Sequence, residues 1–118
     1  MFNRFKIASI VVPGLMLFVV AWSLGSADGK TKSNQKPSTH VVVIRDFRYF
    51  PESLTVNAGD TIVWKNEDRA PHTATARDTF DSGTIAYGKA WTFVADRKGT
   101  FSYICTLHPR MQATLIVQ

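Results

Sequence analysis

The sequence predicts an all-β domain, a sandwich of two facing sheets built from seven or eight short strands. From His40 onward, short apolar or alternating runs stand between turn residues, the signature of a sandwich or barrel. Val, Ile, Thr, Phe, Tyr and Trp dominate those runs, as half-buried pleated surfaces require. No window of a dozen residues holds a 3.6-residue apolar period, so little helix is expected.

The first element is not part of that domain. Arg4 and Lys6 precede an apolar run from Ile7 to Ala21, and small residues follow at Gly25 and Ala27. A positive segment, an apolar stretch and small residues at a cleavage point describe a signal peptide, here residues 1–27. The alternative is a retained membrane anchor. Residues 7–24 number 18, the lower limit for a bilayer core of about 30 Å, and Pro13 and Gly14 interrupt them. Both readings place the rest of the chain in the periplasm or another extracytoplasmic space. Residues 28–38, DGKTKSNQKPS, lack aliphatic side chains and read as a flexible linker.

Residues 39–118 then form one small domain, expected to be a monomer. Its runs are HVVVIRDF, SLTVN, TIVWKN, HTATA, a weak TFDSGTI, AWTFVA, TFSYIC and ATLIVQ. Ala58-Gly59-Asp60, the charged loop Glu67 to Pro71, Tyr87-Gly88-Lys89 and Asp96 to Gly99 separate them. Two sheets around one core are the natural packing for strands of this length. Trp64, Phe80, Trp91, Phe93 and Phe101 are assigned to that core and to nothing else.

Charge excludes one class of partner. The chain is +5, but Arg4, Lys6, Lys30, Lys32 and Lys36 lie before the domain. From Thr39 onward nine Lys or Arg face eight Asp or Glu, so no basic stripe is available for nucleic acid. There is also no glycine-rich phosphate loop and no context for a Ser-His-Asp nucleophile.

The single cysteine poses the chemical question. A lone thiol outside the cytoplasm forms no internal disulfide, which leaves a buried inert thiol, an intermolecular bridge, a nucleophile or a metal ligand. In CTLHPRM, Cys105 ends one run and Met111 begins the next, with His108 between them and Pro109 stiffening the connection. Thiolate, imidazole and thioether on so short a loop can converge, and His72, after Pro71, is the candidate fourth ligand. His40, at the linker junction, reads as an ordinary exposed histidine. Soft sulfur donors with two imidazoles exclude Mg and Ca, and thioether is not a usual zinc partner. Two His and one Cys with a weak axial Met suit one copper ion in an electron-transfer site.

From about Thr39 to Gln118 the sequence resembles the cupredoxins, the type I (blue) copper proteins, in their amicyanin- and plastocyanin-like branch. The resemblance rests on SLTVNAGDTIVWKNED, APHTATA, TFDSGTI and GTFSYICTLHPRM. It implies a Greek-key sandwich with copper at one end, held by His72, Cys105, His108 and Met111. It also implies single-electron shuttling between redox proteins through the exposed edge of His108, with copper cycling between Cu(I) and Cu(II).

Three positions depart from the family pattern. Thr73 and Thr106 stand where an Asn commonly ties the two ligand loops, so a shorter reach and a weaker tie are expected. Leu107 replaces a proline and keeps a backbone N–H, expected to donate to the Cys105 sulfur. Arg110 replaces an apolar residue beside the exposed histidine, which points to a partner with an acidic surface. Other readings stay open at this point: a copper carrier or sensor without a redox role, a thiol enzyme pairing Cys105 with His108 or His72, and a binding module with a buried thiol. The thiol enzyme lacks a cleft and leaves Met111 unexplained, so no enzymatic activity is expected.

Overall fold

In DTIVWKN every second residue is buried, Asp60, Ile62, Trp64 and Asn66 turning inward, as a strand with one face on a core must do. The same period builds the rest of the domain. The computed structural model describes Gly14 and residues 34–118; the signal or anchor assigned to residues 1–27, Gly14 apart, and linker residues 28–33 lie outside the described residues. The strands are β1 (Thr39–Arg45), β2 (Arg48–Phe50), β3 (Ser53–Val56), β4 (Asp60–Asn66), β5 (Thr75–Ala76), β6 (Phe80–Asp81), β7 (Ala90–Ala95), β8 (Gly99–Cys105) and β9 (His108–Val117). They form a Greek-key sandwich with sheet orders β2-β1-β4-β7 and β3-β9-β8-β5-β6. Among the described residues no helix is long and apolar enough to cross a membrane.

Among the described residues nine strands stand where seven or eight are expected, because HVVVIRDF ends in a turn and RYF, outside every run read from the sequence, forms a strand of its own. β1 stops at Arg45, Asp46 and Phe47 turn, and β2 returns antiparallel with Arg45 opposite Arg48. A two-residue hairpin turn of the twist-matched kind needs positive φ at both central residues, and Asp46 and Phe47 have φ of 50° and 56°. Nothing in the alternation of side chains announces that backbone conformation.

The core is aromatic at its centre, as the sequence indicates. Trp64 is fully buried, its ring centroid 5.3 Å from Phe80 and 5.4 Å from Trp91, while Trp91, Phe93 and Phe101 pack against the core half-buried. Trp64 Nε1–H donates to the buried Tyr103 hydroxyl at 3.2 Å, so the indole's polar edge is satisfied inside. Truncating such a ring costs about 3–5 kcal/mol. β1 and β4 run parallel, which brings their C-terminal ends, and the loops that follow them, to one end of the sandwich.

His40 is not a free surface histidine. Its Nε2 lies 2.9 Å from Asp60 Oδ2, and the same carboxylate accepts the backbone N–H groups of Ser38 (2.9 Å) and Asn57 (3.0 Å). Asp60 therefore pins the start of β1 to the β3–β4 turn. The Ser38 N–H, then the Asn57 N–H and the His40 ring, hold its carboxyl down from 3.8 to about 2. A depressed folded-state value means the contribution is complete above the ordinary value and is lost as pH falls through about 2. Asp60→Asn is expected to flatten the acid-side loss of stability between roughly pH 4 and pH 2. Urea unfolding midpoints measured across that window check this; a variant that loses stability as steeply as the wild-type chain contradicts it.

Candidate metal centre

Cys105 and His108 are brought together by a break in strand pairing. The β8–β9 ladder runs regularly from Gly99 opposite Val117 to Ile104 opposite Gln112, then jumps to Cys105 opposite His108. Thr106 and Leu107 make a two-residue turn, and Pro109, Arg110 and Met111 bulge out of the ladder. Pro109 has no N–H to pair and is tolerated there, and a bulge re-aims the side chains beside it. The seven-residue connection read from the sequence is thus a tight turn plus a bulge within a ten-residue β9.

His72 arrives from the opposite side, in the segment after β4. Its backbone exchanges hydrogen bonds with Ile85, His72 N–H to Ile85 O at 3.2 Å and Ile85 N–H to His72 O at 2.7 Å. The preceding loop is organised by Asn66, fully buried at the end of β4. Its side-chain amide donates to the carbonyls of Ala70 and Ile85, both at 2.9 Å, and its oxygen accepts the Asp68 N–H at 2.9 Å.

The three side chains converge. Cys105 Sγ is 3.7 Å from His72 Nδ1 and 3.6 Å from His108 Nδ1. Two nitrogens at about 2.0–2.1 Å and a sulfur at about 2.3 Å from one ion, with angles between tetrahedral and trigonal, require N···S separations of about 3.6–3.8 Å. The spacing fits a shared metal. Among the described residues this is the one cluster of His, Cys, Asp and Glu able to hold an ion. His72 and Cys105 are fully buried and His108 is half-buried. Met111 is 5% exposed and lines a recess of about 400 Å³ with Phe47, His108, Pro109 and Arg110. His40 stands apart with Asp60.

Protonation favours a cation over a thiol–imidazole pair. His72 Nε2 lies 2.7 Å from Asp68 Oδ2, so that nitrogen carries the proton and Nδ1 presents a lone pair to the sulfur. One thiol proton cannot satisfy two Nδ1 atoms. Metal-ligating histidines commonly give their second N–H to a carboxylate in this way. Burial raises the Asp68 carboxyl, but the Phe47 N–H, the His72 ring and the Asp46 N–H outweigh it and leave it below its ordinary value.

The sulfur's backbone donor is Thr73, whose N–H lies 3.3 Å from Sγ, and not Leu107, for which no such bond exists among the described residues. Thr73 also reaches further than its length indicated. Its Oγ1 accepts the Thr106 N–H at 2.9 Å and lies 3.3 Å from the Thr106 hydroxyl, so the tie between the ligand loops is made. The carbonyl of Thr73 accepts the buried Tyr49 hydroxyl, which fixes the next peptide unit of the same residue.

Sequence reasoning missed Asp68, Asn66, Tyr49 and Phe47. The spacing Asp68-x3-His72 could have signalled a carboxylate behind the imidazole. Nothing local connects Tyr49 or Phe47 to residues more than 20 positions away.

The family model of the cupredoxin-like domain matches residues 14–117. An amicyanin of Paracoccus versutus is 25% identical over 122 residues, covering 91% of this chain and 92% of that protein. The methylamine utilization protein MauL of Methylophilus methylotrophus is 28% identical, over 87% of this chain and 63% of its own length. Among solved structures, a single-substitution mutant of amicyanin in its Cu(I) form aligns with a TM-score of 0.65 at 26% identity. That alignment covers 68% of this chain and 82% of the other.

Removing the Thr73 hydroxyl tests the tie between the loops. Thr73→Ala is expected to lower the unfolding free energy of the metal-free chain by about 1 kcal/mol, and Thr73→Ser by clearly less. Denaturant unfolding of both variants checks it; equal losses would assign the effect to the methyl group.

Proposed function

The chain belongs to the cupredoxin-like family, and on that premise we propose that it is a type I copper protein carrying single electrons between redox partners outside the cytoplasm. The observation that carries this reading is the convergence of His72 Nδ1, Cys105 Sγ and His108 Nδ1 on one point. Met111, buried and lining the recess with His108, would be the fourth residue to hold the ion. Two imidazoles, a thiolate and a thioether are the donor set of electron-transfer copper. Bound there, copper supplies a one-electron Cu(I)/Cu(II) couple. The chain's own part is to hold the donors still and keep bulk water away. The likeness to amicyanins across nine-tenths of the chain supports the same reading.

Burial argues against an enzyme. A nucleophilic cysteine has to meet its substrate, and Cys105 is fully buried with both neighbouring imidazoles turned onto it. Burial of two ligands also favours retention of the metal over delivery to an acceptor. The exposed way out is the edge of His108. Around it stand Phe47 and Leu107, each 50% exposed, and the Arg110 side chain at the recess. A redox partner with acidic groups fits that rim. The positive and apolar segment from Arg4 to Ala21 supports export to the periplasm, as a soluble or tethered protein.

Adding Cu(II) to the purified chain is expected to produce intense visible absorption from thiolate-to-copper charge transfer, and Cys105→Ala to abolish it. A variant that keeps the colour removes Cys105 from the ligand set. For docking, Arg110→Glu is expected to slow electron transfer to an acidic partner at low salt, the difference shrinking as ionic strength rises. Stopped-flow rates that are unchanged and equally salt-dependent contradict the acidic partner.

A further inference from the structure

Two residues beside the centre, Asp68 and Phe47, are tied to one another. The Asp68 carboxylate holds three groups at once: it accepts the Asp46 N–H at 2.8 Å and the Phe47 N–H at 2.9 Å, and His72 Nε2 lies 2.7 Å away. Both backbone donors belong to the β1–β2 turn, where Asp46 and Phe47 have φ of 50° and 56°. Asp tolerates that left-handed region, whereas for a bulky side chain such as Phe it is an outlier. A turn of this kind ordinarily uses Asn-Gly or Asp-Gly. The aromatic residue is therefore placed against its backbone preference, with a fixed carboxylate holding both of the turn's N–H groups.

The position so obtained is specific. The Phe47 ring stands edge-on to both imidazoles, with centroids 5.1 Å from His72 and 4.9 Å from His108 and interplanar angles of 86° and 87°. His72 has Asp68 to orient it. The His108 ring has no hydrogen-bond partner among the described residues other than the sulfur, so packing must hold it. Phe47 supplies that packing and closes one side of the recess over Met111.

We propose that Asp68 and Phe47 are positioning residues of the metal centre: one carboxylate orients His72 and, through the Asp46–Phe47 turn, sets an aromatic cap on both histidines. The donors are then in place before the metal arrives, and the metal leaves slowly once bound. The part concerning retention rests on the copper reading; the prearrangement is a property of the metal-free chain and is tested there.

The test uses the full chain with Asp68→Asn, Phe47→Leu and the double variant. In the metal-free protein, NMR of the imidazole ring protons reads the ring-current shift that Phe47 imposes on His72 and His108. In the copper-loaded protein, a Cu(I)-binding chelator reads the rate of metal loss. Phe47→Leu is expected to abolish the ring-current shift and to speed metal loss about tenfold. Asp68→Asn lacks the second carboxylate oxygen and is expected to do the same, with the double variant within about twofold of Asp68→Asn alone, because effects on one shared element do not add. Asp68→Glu, which keeps the charge and lengthens the arm, should move the His108 protons in the same direction, and it decides the matter if Asp68→Asn does not fold. A carboxylate that merely stabilised the fold would lower the unfolding midpoint and leave the His108 shifts alone, which overturns the proposal, as do additive rates in the double variant. If the wild-type chain takes up no copper, the copper reading fails while the metal-free shifts still decide the cap.

Discussion

A fully buried sulfur facing a fully buried imidazole nitrogen at 3.7 Å is the constraint around which this domain is arranged. Each group has lost water, and one weakly donating thiol proton is shared between two imidazole nitrogens, so at least one Nδ1 lone pair is left unmet within the cluster. Burying a polar group without a partner costs on the order of 2–7 kcal/mol, depending on the reference state. The fold meets that demand from outside the pair. Asp68 takes the far N–H of His72, the Thr73 N–H points at the sulfur, and the Thr73 hydroxyl and carbonyl are themselves bonded to Thr106 and Tyr49. No buried side-chain polar atom of the described residues is left without a partner. The unmet capacity is the inward lone pairs, and these are what a metal ion takes.

Those supports reach back into the core. Tyr103 precedes Cys105 by two residues on the same face of β8, so packing that fixes one fixes the other. Its ring meets Trp64 at 5.6 Å and Tyr49 at 4.8 Å, and Tyr49 holds the Thr73 peptide. Burial first, and then the neighbouring charge of Cys105, raise the Tyr49 hydroxyl well above its ordinary value; burial pushes Tyr103 up to about 12. Both remain neutral at ordinary pH, as Tyr49 must be to donate to the Thr73 carbonyl. The aromatic centre of the sandwich and the metal centre at its end are thus one packed unit. A change at Trp64 is felt at the ligands through Tyr103 and not only as lost stability.

How much of this was legible in the sequence follows from the range over which each feature is encoded. Strand period is written in neighbours, so β1, β3, β4, β7, β8 and β9 could be read from alternating runs. The donor set was legible because Cys105, His108 and Met111 lie on one short segment and their chemistry is unusual in combination. The link to His72, 33 positions away, rests on its place after Pro71 at the end of the charged loop, and the family pattern agrees with it. What stayed hidden is long-range or conformational. Asp68 looks like one charge among four in Glu67 to Arg69 and nearby Lys65, and its role exists only because the β1–β2 turn folds over it. Phe47 looked like the last residue of a strand, because positive φ at Asp46 and Phe47 leaves no trace in hydrophobic alternation. The Thr73 tie was underrated for a similar reason. A hydroxyl is short, but the segment just before β5 and the β8–β9 turn approach closely enough for 2.9 Å.

Holding an ion and exchanging electrons make opposite demands on the same surface, and Phe47 is where they meet. Retention calls for a covered centre, and His72 and Cys105 are covered completely. Electron exchange calls for a ligand edge that a partner can approach, and only His108 is partly open. The Phe47 ring covers one side of both histidines with one half and faces solvent with the other. In the proposed docking, a partner on the rim of Phe47, Leu107 and Arg110 would press on a ring packed edge-on to both imidazoles. On that proposal docking and ligand order would be coupled through the ring, so a chain with a looser cap would bring the partner no closer and would hold the histidines less well.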